Sequence, residues 1–206
     1  MSITSLTELS TAISNWIART DLATPIADFI TLFETEANRK LRVRQQMATQ
    51  VTTPSTAGWF TLPTDFLEAV NIIYTGSPQV NLTYIDPSQI HEMYPVAQAN
   101  VPRHYTIQSS TDGTGVNIMP TSTTAVNFTY YQKITSLSST NTSNWLLAAH
   151  PDVYLAGALT EANVYVKDYD TAAVWKGRRD TLFDEIIALD QKTRGPSYIV
   201  VPGLNP

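Results

Sequence analysis

The 206-residue chain contains no cysteine. That excludes disulfides, thiolate metal sites and cysteine nucleophiles together, so folding rests on packing alone. Charge is sparse, at 15% of residues, and positive charge is the scarcer kind: 13 Lys+Arg stand against 18 Asp+Glu, for a formal net charge of −5. Affinity for nucleic acid comes from cations that displace counterions from phosphates, so an acidic chain has no broad face for it and any DNA contact is local or transient. No apolar run approaches the roughly 20 residues of a membrane-spanning helix. The N-terminus lacks the basic start, apolar block and small-residue cleavage site of a signal peptide. The expectation is a protein made in the cytoplasm, with no membrane partner.

Histidine occurs three times, as His91, His104 and His150. None has a second histidine one helical turn away, and His91-Glu92 is not followed by the second half of a zinc-binding motif, so no metal site is expected. Glycine-rich phosphate loops, dinucleotide fingerprints and serine-nucleophile elbows are missing too. No cofactor and no recognisable active site follow from the residues.

What the chain does have is 43% hydrophobic residues, enough for one domain or two small ones with a substantial core. Its charges are unevenly spread. Residues 1–45 hold 10 of them and residues 150–206 hold 14, whereas the central 46–149 holds only 7 and is rich in Thr, Val, Tyr and Pro. Helical ends around a β-rich centre follow from that contrast.

The first helix opens on the capping box Ser5-Leu6-Thr7-Glu8, and Leu6, Leu9, Ile13, Trp16 and Ile17 recur along one face. Thr24-Pro25 marks a second start, with Ile26, Phe29, Ile30, Phe33, Ala37 and Leu41 as its apolar stripe. The short link around Thr20 to Ala23 makes the two a helical hairpin. Beyond Arg44 come short β-type runs at 47–53, 59–62, 67–74, 79–85, 104–108, 115–119 and 125–134, with Asp112-Gly113 as a hairpin turn and Asp86-Pro87 opening one short inserted helix. Helical spacing returns in Leu155, Ala158, Leu159, Ala162, Tyr165, Val166 and Tyr169. A last helix over about 171–192 places Trp175, Leu182, Ile186 and Leu189 on one side and stops at Gly195-Pro196. The predicted fold is α+β: an N-terminal helical hairpin (1–45), a central antiparallel β-rich region (46–149), a C-terminal helix pair (150–194) bundled on the first helices, and an extended docking arm (195–206). That arm, ending in SYIVVPGLNP, is apolar, and a surface cost attaches to leaving it bare.

Two groups invite a chemical reading. Asp65 and Glu68 flank Phe66 directly after Pro63-Thr64, as a glycosidase acid/base pair would need. The same residues also suit a corner, in which Pro63 ends one strand and Asp65 satisfies free backbone groups, and no further polar support for catalysis lies nearby. Arg39, Lys40, Arg42 and Arg44 form the densest basic run. Cations at a helix C-terminus are favoured by its dipole by about 0.3–1 kcal/mol each, but four exceed what one helix end requires and could face acidic protein or DNA. Lys176, Arg178 and Arg179 are balanced by Asp180, Asp184 and Glu185 at helical spacing, as on an ion-paired surface.

The ordered blocks LTELSTAISNWIARTDL, PIADFITLFETEANRKLRVRQQ, LPTDFLEAVNIIY, NWLLAAHPDVYLAGALTEANVYVKD and WKGRRDTLFDEI together resemble the head-to-tail adaptor (connector) proteins of tailed bacteriophages. The resemblance implies a non-enzymatic virion protein of the neck, made in the bacterial host cytoplasm. It implies a homo-oligomeric ring, of about twelve copies, that attaches to the portal protein, continues the DNA channel with only transient contact to passing DNA, and receives tail or nozzle proteins. In such a ring Tyr198, Ile199, Val200, Val201 and Leu204 of the arm would contact the portal or a neighbouring subunit. Arg39, Lys40, Arg42 and Arg44 would face the portal or line the channel. The residues leave open a peptidoglycan-cleaving accessory protein using Asp65 or Glu68, and another neck or baseplate component; a DNA-binding regulator lacks both a recognition-helix motif and a basic face.

Overall fold

A computed structural model describes residues 3–19, 21–111 and 113–193. The chain divides into two compact units, one made of residues 1–45 with 134–206 and the other of residues 46–133. The fold is α+β. The second unit ends at Lys133, so residues 134–149, grouped with the central region on composition, belong with the helices.

In the helical unit, α1 (Leu6–Ile17) starts as its capping box requires: Ser5 Oγ accepts from the Glu8 N–H at 3.3 Å. The Glu8 carboxylate reaches one residue further than expected, taking the Thr4 N–H at 2.7 Å and the Thr4 hydroxyl at 2.8 Å. α2 (Pro25–Lys40) begins with proline in its first turn, but Thr24 has helical backbone angles and makes no side-chain cap. The helical return after residue 144 is two helices. α4 (Trp145–Ala149) is capped by Asn144, whose Oδ1 accepts from the Leu147 N–H at 2.9 Å, and Pro151 then restarts the chain as α5 (Pro151–Tyr165). α6 (Tyr169–Thr193) completes the unit.

Both α1 and α2 pack on α5, and α5 packs on α6. α5 is thus the central helix, buried almost all round, with Ala156, Gly157, Ala158 and Ala162 letting its neighbours approach. Gly157 is required: a Cβ there would overlap the Phe33 ring. Phe33 is fully buried and meets Tyr154 edge-on at 4.9 Å and Phe183 face-on at 6.0 Å. Tyr165, Tyr169 and Leu189, expected on apolar stripes, are exposed, because they lie at helix ends or turned away from the helices that cover α5.

The β unit holds two four-stranded sheets. One has the order β1 (Met47–Thr52), β8 (Val126–Gln132), β3 (Phe66–Tyr74), β4 (Val80–Asn81). The other runs β2 (Trp59–Thr61), β7 (Gly113–Met119), β6 (His104–Ser110), β5 (Thr83–Tyr84). The expected single run over 79–85 is divided between them. Leu82, buried and donating its N–H to Ile72 O at 2.8 Å, is the pivot where the chain leaves one sheet for the other. Pairing is antiparallel except between β5 and β6, which are parallel because α3 (Pro87–Met93) carries the chain back between them. Asp86 caps α3 as expected, accepting from the Ser88 N–H at 2.9 Å. The hairpin β6–β7 is in register from His104↔Met119 to Ser110↔Gly113, with Gly113 at φ 102°, a conformation glycine adopts at little cost; Asp112 lies outside the described residues. The inner faces share one core, in which Phe60 of one sheet meets Phe128 of the other at 5.7 Å.

Candidate functional site

The corner at Asp65 is built from local bonds. The Phe66 N–H donates to Pro63 O at 3.0 Å and closes the turn, while Asp65 O accepts from the Lys133 N–H at 2.7 Å. The Asp65 carboxylate accepts from the Tyr130 hydroxyl at 3.2 Å and helps, after burial, to push that phenol up from its ordinary value. Glu68 lies beyond a bulge in the β3–β8 pairing, on a strand position opposite Tyr131, and is exposed. Asp65 thus holds the turn between β2 and β3, and Glu68 stands on the outer surface of the sheet.

The basic run is mostly engaged at home. Arg39 donates to Thr35 O at 3.3 Å, and Arg42 donates to Asn38 O at 2.8 Å and Leu41 O at 2.6 Å, capping carbonyls at the end of α2. Arg44 ties to α6, with its Nε 3.0 Å from Asp190 Oδ1 and a further bond to Thr193 Oγ1. Lys40 Nζ lies 3.0 Å from Glu36 and 2.9 Å from Asp180. The structure does not bring the four together as one unengaged basic patch. The helix-end reading accounts for Arg42, and cross-helix pairing accounts for Lys40 and Arg44.

The residue that sequence reasoning missed is Arg179. Placed on an ion-paired surface, it is instead buried, with 4% of its side chain exposed. Its Nη1 lies 2.6 Å from Glu36 Oε2 on α2, and its Nη2 lies 3.1 Å from Asp180 Oδ1. Glu36, Lys40, Arg179 and Asp180 form a balanced four-charge network across the α2–α6 crossing. Burial pulls the Asp180 carboxyl up, but hydrogen bonds from Lys40 and Arg179 outweigh it and leave it below the ordinary value. The only advance signal was the i,i+4 spacing of Glu36 and Lys40, which says nothing of a partner some 140 residues away.

A second polar lock holds the segment after β8. Glu34 is buried on α2; its Oε1 accepts from the Leu137 N–H at 2.9 Å and from the Tyr154 hydroxyl at 3.0 Å. Asn38, one turn on, accepts from the Ile134 N–H at 2.7 Å, and Asn144 Nδ2 donates to the Tyr154 oxygen at 2.6 Å. Burial raises the Glu34 carboxyl above its ordinary value against the pull of those donors, and burial with the nearby Glu34 charge raises the Tyr154 phenol.

Surfaces suited to contact lie on the helical unit. A groove of about 440 Å³ is walled by Leu32 and Val164 and rimmed by Glu36, Arg39, Glu161 and Lys176. At the start of α6, Trp16 meets Trp175 edge-on at 5.3 Å, and the Arg178 guanidinium lies 5.6 Å over the Trp175 ring. Trp, Tyr and Arg are the residue types that dominate binding energy at protein interfaces, and Trp16, expected in the core, is 59% exposed. Histidines are not gathered into a site: His104 Nδ1 bonds the Tyr94 hydroxyl at 2.6 Å, while His91 is exposed on α3. Among the described residues no cluster of metal-ligating side chains occurs, and no helix is long and apolar enough to cross a membrane. Tyr198, Ile199, Val200, Val201 and Leu204 lie outside the described residues.

The model of one protein family, described as SU10 adaptor protein, matches residues 4–201. No curated protein matches the chain.

Proposed function

The chain belongs to the SU10 adaptor protein family, and from that premise we propose that it is a structural, non-enzymatic virion protein of the phage neck. It assembles as a ring, of about twelve copies, that attaches to the portal, continues the DNA channel and presents an attachment site for tail proteins. The family match over nearly the whole chain carries this reading. Three further observations support it. The charge balance of −5 and the internal engagement of Arg42, Lys40 and Arg44 suit a conduit that lets DNA slide, since few phosphate contacts form. The aromatic and Arg-rich exposures on the helical unit suit protein contacts. Asp65 has a mechanical use in the β2–β3 turn, which leaves the acid/base reading without a paired partner.

Residues 195–206, with Tyr198, Ile199, Val200, Val201 and Leu204 as anchors, form the docking arm in this proposal. Native mass spectrometry of the purified chain, alone and mixed with portal rings, tests it. The expected result is a complex of portal plus a full ring of this chain. A chain that leaves the portal mass unchanged at saturating concentration overturns the portal attachment.

A further inference from the structure

Four strands stand at the outer positions of the two sheets, and three are short: β4 and β5 are two residues long and β2 is three, so that β3 from Phe66 to Asn71 and β6 from Thr106 to Ser110 also lack a described outer neighbour. The open run of β3 carries Glu68 and two register shifts, devices that guard an edge, and the open run of β6 is five residues long. β1 differs. Its six residues, Met47–Thr52, pair with β8 along their whole length on one side, and no described strand lies on the other. An edge of that length presents a row of unpaired N–H and C=O groups, which natural sheets guard with lysine, other charges, proline or a bulge. The sequence MATQVT contains no such residue, the β1–β8 register is continuous, and no Asp, Glu, Lys or Arg occurs between Arg44 and Asp65. Val51 on this edge is 68% exposed.

One segment of the chain matches that edge. Ser197–Val201 reads Ser-Tyr-Ile-Val-Val and is bracketed by Pro196 and Pro202. Proline has no N–H to give a ladder, so the bracket confines pairing to five residues, one fewer than β1 offers. Tyr, Ile and Val favour the extended, half-buried surface of a strand. Residues 195–202 hold no charged side chain, so laying this segment beside the uncharged β1 desolvates no ionised side chain.

We propose that the free edge of β1 receives residues 197–201 of a second copy of this chain, each copy lending its C-terminal segment to the next. Strand addition of this kind draws affinity from main-chain hydrogen bonds and specificity from alternate side chains. Donation from copy to copy is a heterologous contact, the type that closes into rings. The inference rests on the ring and docking-arm reading above and names the surface that the arm occupies.

The absence of native cysteine makes the test clean. Val51→Cys and Val200→Cys chains are prepared separately, mixed, and treated with a short bismaleimide that tolerates a one-residue slip in register, both free and with portal rings. The expected major product is a linked dimer of one chain of each kind, in excess of that from Val200→Cys mixed with Val174→Cys, a control on the exposed face of α6. Adding Thr49→Lys to the Val51→Cys chain should cut the linked product several-fold without altering the far-ultraviolet spectrum. Linking no faster than the control in both settings overturns the inference, and so does a Val51→Cys/Val200→Cys double variant linked only within single chains. A ring on the portal without the link leaves the proposed function standing and removes this contact. A link without portal binding does the reverse.

Discussion

The helical unit and the β unit are each built around a buried phenylalanine, Phe33 in one and Phe128 in the other, yet they differ in the charge they bury. Among the described residues the helical unit buries the charged Glu34, Arg179 and Asp190 beside the neutral Thr160 and Asn163, whereas the polar side chains buried in the β unit, Gln46, Thr106, Asn117 and Thr121, are all neutral. Helices satisfy their own backbones, so a crossing is free to bring side-chain ends together from distant parts of the chain, and a charge can meet its opposite there. Sheets spend their backbone bonds on neighbouring strands, and the faces between them are left for rings to pack. Phe128 lies 5.1 Å from Tyr130, 5.9 Å from Phe66 and 5.7 Å from Phe60. The helices are therefore keyed to one another by polar matches, and the sheets by register and ring contact.

Hollowing either core has the largest expected effect on its unit. Phe33→Ala and Phe128→Ala should each cost about 3–5 kcal/mol. Hydrogen exchange should show the loss confined to α2, α5 and α6 in the first and to β3, β7 and β8 in the second. Loss of protection across both units in either variant would mean that the two cores are not separate.

The polar keys come next. Arg179→Ala should cost about 2–3 kcal/mol in denaturant unfolding, toward the low end for a broken buried pair because Glu36 keeps Lys40 as a partner. Lys40→Ala should cost under about 1 kcal/mol, since 41% of that side chain is exposed. Equal losses in the two variants would show that burial of Arg179 is not what sets the crossing.

Glu34 gives the helical unit a pH signature of its own. Glu34→Ala, which strands the Leu137 N–H and the Tyr154 hydroxyl, should cost about 2 kcal/mol. Glu34→Gln keeps an acceptor and should be close to neutral. Because the folded carboxyl titrates above its unfolded value of 4.5, the native state holds the proton more tightly than the unfolded chain. Its contribution is therefore full below pH 4.5 and declines as pH rises through the folded value. The stability of the wild type relative to Glu34→Gln should fall over that interval; a flat difference would mean that Glu34 is not desolvated. The smallest effects belong to the corner. Asp65→Asn, which can still accept from Tyr130, should cost under about 1 kcal/mol and Glu68→Gln under about 0.5 kcal/mol.

Much of the helical architecture was legible because its signals are local. Ser5 with Glu8, Pro25, Asp86 with Pro87, and the apolar stripe from Ile26 to Leu41 each mark a boundary or a face within a few residues. The β6–β7 hairpin was legible for the same reason, through Gly113. The sheet change at Leu82, the parallel β5–β6 pair and the end of the β unit at Lys133 were not, because each depends on which distant strand is nearby. The candidate contact surface was legible only in part. The basic run was visible in the sequence, but the partners of Lys40 and Arg44 lie on α6, and Trp16 and Tyr165 carry the same periodicity as core residues.

The α+β class, the capped helix starts and the absence of thiol chemistry follow from the amino-acid sequence, since composition, caps and periodicity act over one or two turns. That α5 is the central helix, that Arg179 is buried against Glu36, and that β1 stands at the edge of its sheet came from the tertiary structure. Those facts depend on residues far apart in the chain meeting in space, and no local spacing encodes that meeting.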